Sequence, residues 1–414
     1  MKKSKIIFCG LSHLSLNYGA VSAKFCDEII FFDYEKKIKK FLNKDLIYKE
    51  PKLDNYLNKY KNKIKFISNL DSEYNDVLIV IAIDIKTKKN NQSDYSYIIK
   101  LLNKITLNSK LRKNPLVIMS QVQPTFTRAI QWPKHLLYYQ VETLIFGQAI
   151  DRAENPERII VGTHNGLKSI NKIYLNYLKK HRCPLIFMKY EEAELSKMYI
   201  NSYLVSDVVL TNILSTISKN LNLNWTRSIE ALKLDKRIGK FAYLKPGLGI
   251  SGGNLERDIV NLLKISKNLN IDSNLFKVFL EESKKRKNWI QDNINKYKKL
   301  KLINSRSKIG IIGLSYKENT NSLKNSPSLL ILKYFQNNLI FCYDKNLYGT
   351  KVDNYDIKWA NINELINKTN IIFIMHDYKI INKLQYKNNT NLIFDPYSFL
   401  NKKKIDKKIV YLNL

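Results

Sequence analysis

Short apolar runs punctuate both ends of this chain, and none of them alternates strictly with polar residues. KIIFCG (5–10), EIIFFD (28–33), VLIVIAI (77–83), PLVIMS (115–120), LLYYQV (136–141), RIIVG (158–162) and PLIFMK (184–189) fill the first part. KIGIIGLS (308–315), NLIFCYD (338–344), NIIFIMH (370–376) and NLIFDP (391–396) fill the last. A strand with one wet face alternates; a strand covered on both faces reads as a continuous run of Val, Ile and Phe. The stretches between the runs are long enough for crossover helices. The pattern predicts an α/β protein with two doubly wound parallel sheets. Both series open alike, on a strand followed by Gly-Leu-Ser.

Between them the character changes. EEAELSKMYINSYLVSDVVLTNILSTISKNL (191–221) has helical periodicity and no internal Gly or Pro. It predicts one long helix, followed by more helices to about residue 300. The expected plan is a Rossmann-like N-terminal domain at 1–190, a central helical region at 191–300 and a C-terminal α/β domain at 301–414.

Composition sets bounds on this plan. With 44% hydrophobic and 26% charged residues, 13 Gly and 9 Pro, the chain is not collagenous, disordered or a disulfide scaffold. Cys9, Cys26, Cys183 and Cys342 are scattered and form no CxxC pair, the usage expected of reduced thiols in a cytoplasmic protein. The N-terminal apolar stretch is broken by Ser12, His13 and Ser15, unlike a secretory leader. No uninterrupted apolar run reaches the length of a membrane span, so no transmembrane segment is expected. The net charge is +34, from 70 basic and 36 acidic residues, which brings nucleic acid into consideration. The excess is mostly Lys, spread along the whole chain, whereas base and phosphate reading favours Arg. Specific nucleic-acid binding is therefore not expected. The lysine clusters at 36–40, 86–89 and 284–287 read as solvated faces or loops.

The first strand ends in Gly10-Leu11-Ser12-His13-Leu14-Ser15, where a dinucleotide-binding βαβ unit carries G-x-G-x-x-G. The first glycine makes the tight turn and is present. Ser12 and Ser15 stand where the second and third would admit a pyrophosphate and a close helix. Asp33 ends the second strand about 20 residues on, where a carboxylate accepts from a ribose hydroxyl and favours NAD over NADP.

Further motifs follow in order. GLSHLSL (10–16) with Asp33, YKEPKLDNYL (48–57), DYSYI (94–98), SQVQPTFTR (120–128), NPERIIVGT (155–163), EEAELSKMYINSYL (191–204), DKRIGKFAYLKPGLGISGGNLERD (235–258) and GLSYKENTNSLKNSP (313–327) resemble segments of the UDP-glucose/GDP-mannose dehydrogenase family nearly end to end. The resemblance implies a cytoplasmic homodimer that uses NAD to oxidise a UDP- or GDP-linked sugar, in the synthesis of cell-surface polysaccharide precursors. It also implies site residues. Gly10, Ser12, Ser15, Asp33, Ser120 and Gln121 fall in the cofactor set. Gly252, Gly253, Arg237 and Lys317 fall in the substrate set, Arg237 near the dimer interface. Lys197 and Asn201 would orient the sugar and stabilise an alkoxide; Glu142 belongs with them, and Asp258 would act as general base through a water.

The departures from the family pattern cluster. In the glycine-rich stretch, P-G-x-G-x-G-G-S-C-x-P-K-D in the family, Asn254 occupies the cysteine position, Ser251 and Gly253 replace Gly and Ser, and Arg257 replaces Lys. Phe146 stands at a glutamate that assists hydrolysis, and Gln121 at a threonine that holds the water. An amide cannot capture an aldehyde as a thiohemiacetal. The resemblance therefore implies a single hydride transfer, with a catalytically silent binding protein as the alternative.

Overall fold

The computed structural model describes residues 4–46, 48–70, 73–88, 92–352, 354–386, 390–401 and 405–414. The chain divides into two compact units, Met1–Ile200 and Asn201–Leu414.

The first unit holds strands β1 (Lys5–Cys9), β2 (Glu28–Phe32), β3 (Ile64–Ile67), β4 (Val77–Ile81), β5 (Lys86–Thr87), β6 (Ser93–Asp94), β7 (Leu116–Ile118), β8 (Leu137–Gln140), β9 (Ile159–Thr163) and β10 (Leu185–Lys189). Eight of them form one sheet in the order β10-β9-β8-β7-β4-β1-β2-β3, while β5 and β6 pair as a small antiparallel hairpin. Side chains of β1 explain why its sequence does not alternate. Ile6 and Phe8 enter one buried cluster and Ile7 and Cys9 another, so both faces are covered. The expectation of a parallel sheet holds from β8 through β3. It fails at one junction, where β9 runs antiparallel to β8, and β10 follows β9 in parallel. The 18-residue link between β8 and β9 carries only the short helix Ala149–Glu154, and antiparallel neighbours need no crossover.

The second unit holds β11 (Lys308–Ile312), β12 (Leu339–Tyr343), β13 (Lys358–Trp359), β14 (Ile371–Ile374), β15 (Leu392–Phe394) and β16 (Val410–Leu412) in one parallel sheet, ordered β13-β12-β11-β14-β15-β16. Its helical part includes Trp225–Leu234, Asn254–Asn268 and Asn274–Lys299. The lysines at 36–40 lie on helix Glu35–Leu42 and those at 284–287 on Asn274–Lys299. Of the cluster at 86–89, Lys89 lies outside the described residues.

The long central helix runs Tyr190–Asn220, within one residue of its expected span. Its length and apolar content would also suffice to cross a membrane. It nevertheless buries Glu194, Lys197 and Asn201, each held by a polar partner as in the core helix of a water-exposed fold.

Both sheets use one turn device. Gly10 follows β1 at φ +94° and Gly313 follows β11 at φ +98°. The next amides are caught by a carboxylate at the end of the neighbouring strand. Leu11 N donates to Asp33 Oδ2 at 2.6 Å. Leu314 N and Ser315 N both donate to Asp344 Oδ2 at 2.9 Å. Asp344 is fully buried and also accepts from Ser315 Oγ at 2.9 Å and from Asn346 N. Removing it would leave these buried donors without an acceptor, at a cost of about 1–3 kcal/mol each. Asp344→Ala is expected to lower unfolding free energy by about 2–4 kcal/mol in urea titration. An unchanged midpoint would show that the turn is held by other contacts.

Candidate active site

The first candidate centre is the turn after β1. A Cβ on Gly10 would lie 1.9 Å from Ile83 Cγ2 and the backbone there is left-handed, so only glycine fits. Ser12 caps helix His13–Ser22. Its hydroxyl accepts from Ser15 N, and Ser15 Oγ accepts from Ser12 N at 2.9 Å. Ser12 Oγ also donates to Ala82 O at 2.9 Å. Asp33 is fully buried. Besides Leu11 N it accepts from Tyr34 N at 2.7 Å and from the Tyr97 hydroxyl, and Lys37 Nζ stands 3.1 Å from Oδ2. Ser120 Oγ accepts from Ile83 N at 2.8 Å, fixing the next strand end; Gln121 is buried beside it in sequence. A single left-handed glycine, a helix N-terminus and a buried strand-end carboxylate fit a dinucleotide. Gly10 and the helix turn would face its pyrophosphate and Asp33 its ribose.

Sequence reasoning missed several partners here. His13 Nε2 lies 2.8 Å from Glu50 Oε2, and Glu50 Oε1 accepts from Ala149 N. The His13 ring stacks on Phe146, centroids 4.3 Å apart. Phe146 thus has a packing role. Glu50 sits in a segment whose family likeness was visible, but nothing local marks its pairing with a residue 37 positions away. A wide cleft in this unit lies elsewhere. It has a volume of ≈ 1450 Å³ and is lined by Ser4, Asp27, Lys180 and Arg182 among others, at the strand ends opposite Gly10.

The central helix carries the second set. Lys197 Nζ lies 3.0 Å from Glu142 Oε1, both side chains nearly buried. Glu142 also accepts from Leu144 N. Glu194 is fully buried and accepts from Thr125 N at 2.7 Å and Thr127 N at 2.8 Å. Burial pushes its carboxyl up to about 7, against the lowering effect of those hydrogen bonds.

In the second unit Asn201 Nδ2 donates to Asp258, which is fully buried, and Arg257 Nε stands 3.3 Å from its other oxygen. The glycine-rich stretch before it is pressed by neighbouring side chains. The Tyr316 ring lies against Gly252, and a Cβ on Gly253 would fall 2.3 Å from Lys324 Cε. Asn325 Nδ2 donates to Gly252 O at 2.7 Å. Arg286, another residue not foreseen, donates from Nε to Gly247 O at 3.0 Å and from Nη1 to Thr216. Asn254 is exposed, as the first residue of its helix. Lys317 is exposed, and Arg237 is an exposed partner of Asp235. No thiol lies in this stretch. Cys342 is the one thiol of the second unit and is buried in β12; burial raises it and also Cys9, Cys26 and Cys183 above the usual thiol range.

Two α/β units, each with a glycine turn and strand-end carboxylate, joined to a helix bearing buried polar residues, define a two-domain nucleotide-dependent dehydrogenase architecture. Family models agree across the chain. The UDP-glucose/GDP-mannose dehydrogenase NAD binding domain matches residues 4–177, the central domain 191–283 and the UDP binding domain 310–402. The chain belongs to the UDP-glucose/GDP-mannose dehydrogenase family, and NAD is its cofactor. It is similar to the UDP-glucose 6-dehydrogenase of Rickettsia bellii, 26% identical over 391 residues covering 91% of this chain and 86% of that one. The Campylobacter jejuni enzyme of the same name is 25% identical, over 89% and 99%. Its fold matches a UDP-glucose dehydrogenase of Pyrobaculum islandicum at TM-score 0.81 and 17% identity, covering 99% and 97%. It also matches the UDP-N-acetyl-mannosamine dehydrogenase Cap5O of Staphylococcus aureus at 0.76 and 19%, covering 99% and 98%.

Glu194 gives a pH prediction. Its folded carboxyl holds a proton up to about 7, whereas an unfolded glutamate releases it near 4.3. The folded state binds more protons between those values, so this group's contribution to stability falls as pH rises through that window. Urea midpoints should decline from pH 5 to pH 8, and Glu194→Gln should flatten that slope whatever its effect on absolute stability. An equally steep slope in the variant would assign it to other groups.

Proposed function

We propose that this protein catalyses one reversible two-electron oxidation of a CH–OH group on a UDP- or GDP-linked sugar, in the cytoplasm, as a step toward cell-surface polysaccharide precursors. The observation that carries this reading is the contrast between two groups of side chains. The alcohol-handling set keeps partners suited to its work: Lys197 with Glu142, and Asn201 with Asp258. The acyl-transfer set does not, since Asn254 stands at the family's cysteine position, Phe146 packs on His13 and no sulfur lies in the glycine-rich stretch.

Bound NAD supplies a hydride acceptor. The protein's part is to hold the sugar hydroxyl and take its proton. Lys197 donates to the hydroxyl oxygen and stabilises the negative charge that develops as the C–H bond breaks. Its value is high because the ammonium is largely buried and poorly screened. Glu142 holds the ammonium in place. Asn201, one helical turn further on the same face, donates to the same sugar while its amide is oriented by Asp258. The hydroxyl proton passes through a water to Asp258. The carbon ends as a carbonyl, two electrons and a hydrogen poorer, and Asn254 can donate to that oxygen but cannot add to its carbon. Gly252, Gly253, Arg237 and Lys317 contribute to substrate binding.

Counting NADH formed per sugar consumed tests this directly. One is expected, with an aldehyde or ketone trapped by a hydrazine probe; two would overturn the reading. Asn254→Cys should still give one, because Phe146 and Gln121 remain.

A silent, binding-only protein is the second reading. It is favoured by the two serines whose hydroxyls occupy backbone amides at the cofactor turn. It requires intact sugar-nucleotide binding and no turnover of any sugar nucleotide.

We further infer a homodimer. On helix Tyr190–Asn220 the exposed Tyr199, Tyr203, Leu210, Ile213, Ile217 and Leu221 just beyond it fall at i, i+4, i+11, i+14, i+18 and i+22, a single stripe on a 3.6-residue repeat. A stripe this long is a protein-contact face on a soluble chain. Light scattering should give twice the chain mass of 48.6 kDa, and Leu210→Glu with Ile217→Glu should give the monomer. An unchanged mass in the double variant would place the contact elsewhere.

A further inference from the structure

The cofactor turn is closed by the protein's own side chains. A dinucleotide pyrophosphate is held at a helix N-terminus by backbone amides that have no partner inside the helix. Here most of those amides are already engaged. Leu11 N donates to Asp33, Ser12 N to Ser15 Oγ and Ser15 N to Ser12 Oγ. Leu14 N, in the first helical turn, points at Asp84 Oδ2, 3.4 Å away. Asp84 is exposed in the loop just after β4. Its charge is felt at Tyr48, whose hydroxyl donates to Leu11 O at 3.1 Å, so the carboxylate stands at the turn itself. Asp33 has Lys37 beside it; no Lys, Arg or His pairs with Asp84 among the described residues. The helix has no acidic residue of its own in its first turn, so Asp84 supplies the negative charge that this end of the dipole attracts.

We propose that Asp84 acts as a built-in competitor for the cofactor's phosphates, occupying the helix N-terminus until NAD displaces it and holding NAD affinity low. The proposal rests on the assignment of this unit as an NAD-binding domain. Ser12 and Ser15 reinforce the closure through hydrogen bonds, whereas Asp84 adds charge. A carboxylate and a pyrophosphate cannot share the same few amides, so NAD binding must turn Asp84 outward, which its exposure allows. The two serines can stay and donate their hydroxyls to a phosphate.

The test is calorimetric titration of the purified protein with NAD, ADP and adenosine, for the wild type, Asp84→Asn and Asp84→Thr. Removing one negative charge beside the phosphates should tighten NAD and ADP by about fivefold to tenfold. Adenosine carries no phosphate and should be unaffected. Equal NAD affinity in all three forms would overturn the role of Asp84 while leaving the cofactor assignment in place. A parallel gain for adenosine would overturn it too, by showing a general change in the pocket. Absence of NAD heat in every form would overturn both. Circular dichroism melts of each variant confirm that the compared proteins are folded.

Discussion

A carboxylate at the end of one strand, bonded to the amides that follow the neighbouring strand, organises both units. The bond fixes where the chain leaves β1 or β11. The left-handed glycine before it can then be nothing bulkier, and the chain beyond it starts across the sheet in a fixed direction. The device is used differently in the two places. Asp33 meets one turn amide and has Lys37 and Tyr97 at its flank. Asp344 gathers both amides and the Ser315 hydroxyl on one oxygen, and the His376 ring lies against Gly313 with Nε2 2.9 Å from Ser315 O. The second turn is filled by protein. The first turn is closed more loosely, by the Ser12–Ser15 pair and by an exposed carboxylate, Asp84, 3.4 Å from Leu14 N.

The sequence showed most of the fold because burial on both faces leaves an unmistakable mark. Every long apolar run became a strand, within three residues of its expected limits. The strands that escaped were those without the mark. β3 is half exposed, with Lys65 in its middle, β5 and β6 are two-residue polar strands of a separate hairpin, and β13 and β16 are two and three residues long at the sheet edges. The reversal at β9 was equally invisible, since RIIVG reads the same in either direction. The helix from 190 to 220 was legible from period and from its lack of Gly and Pro.

Site residues were legible where chemistry depends on residue type and spacing. Lys197 and Asn201 share a helix face, and both are buried against partners. Their partners were harder to foresee. Glu142 was singled out by family likeness, but its 3.0 Å contact with Lys197 is a long-range fact of packing. Asp84, Glu50, Lys37 and Arg286 left no local signal, because an ordinary charged residue in a loop or on a helix looks solvated until the fold brings its counterpart near.

The altered glycine-rich stretch bears on whether this chain has drifted or been refitted. Drift would leave substitutions without compensation. Here several have acquired neighbours. Gly253, where the family pattern has serine, lies against Lys324; a Cβ there would fall 2.3 Å from Lys324 Cε, so a larger residue would have to turn the end of that flexible side chain aside. Glu256, where the family pattern has proline, pairs with Lys287 and accepts from Asn325, which also holds Gly252 O. Proline at 256 could offer none of these contacts. Held by Asn325 at Gly252 O and by Lys287 at Glu256, the stretch leading into helix Asn254–Asn268 is fixed by contacts that do not depend on the side chain at 254.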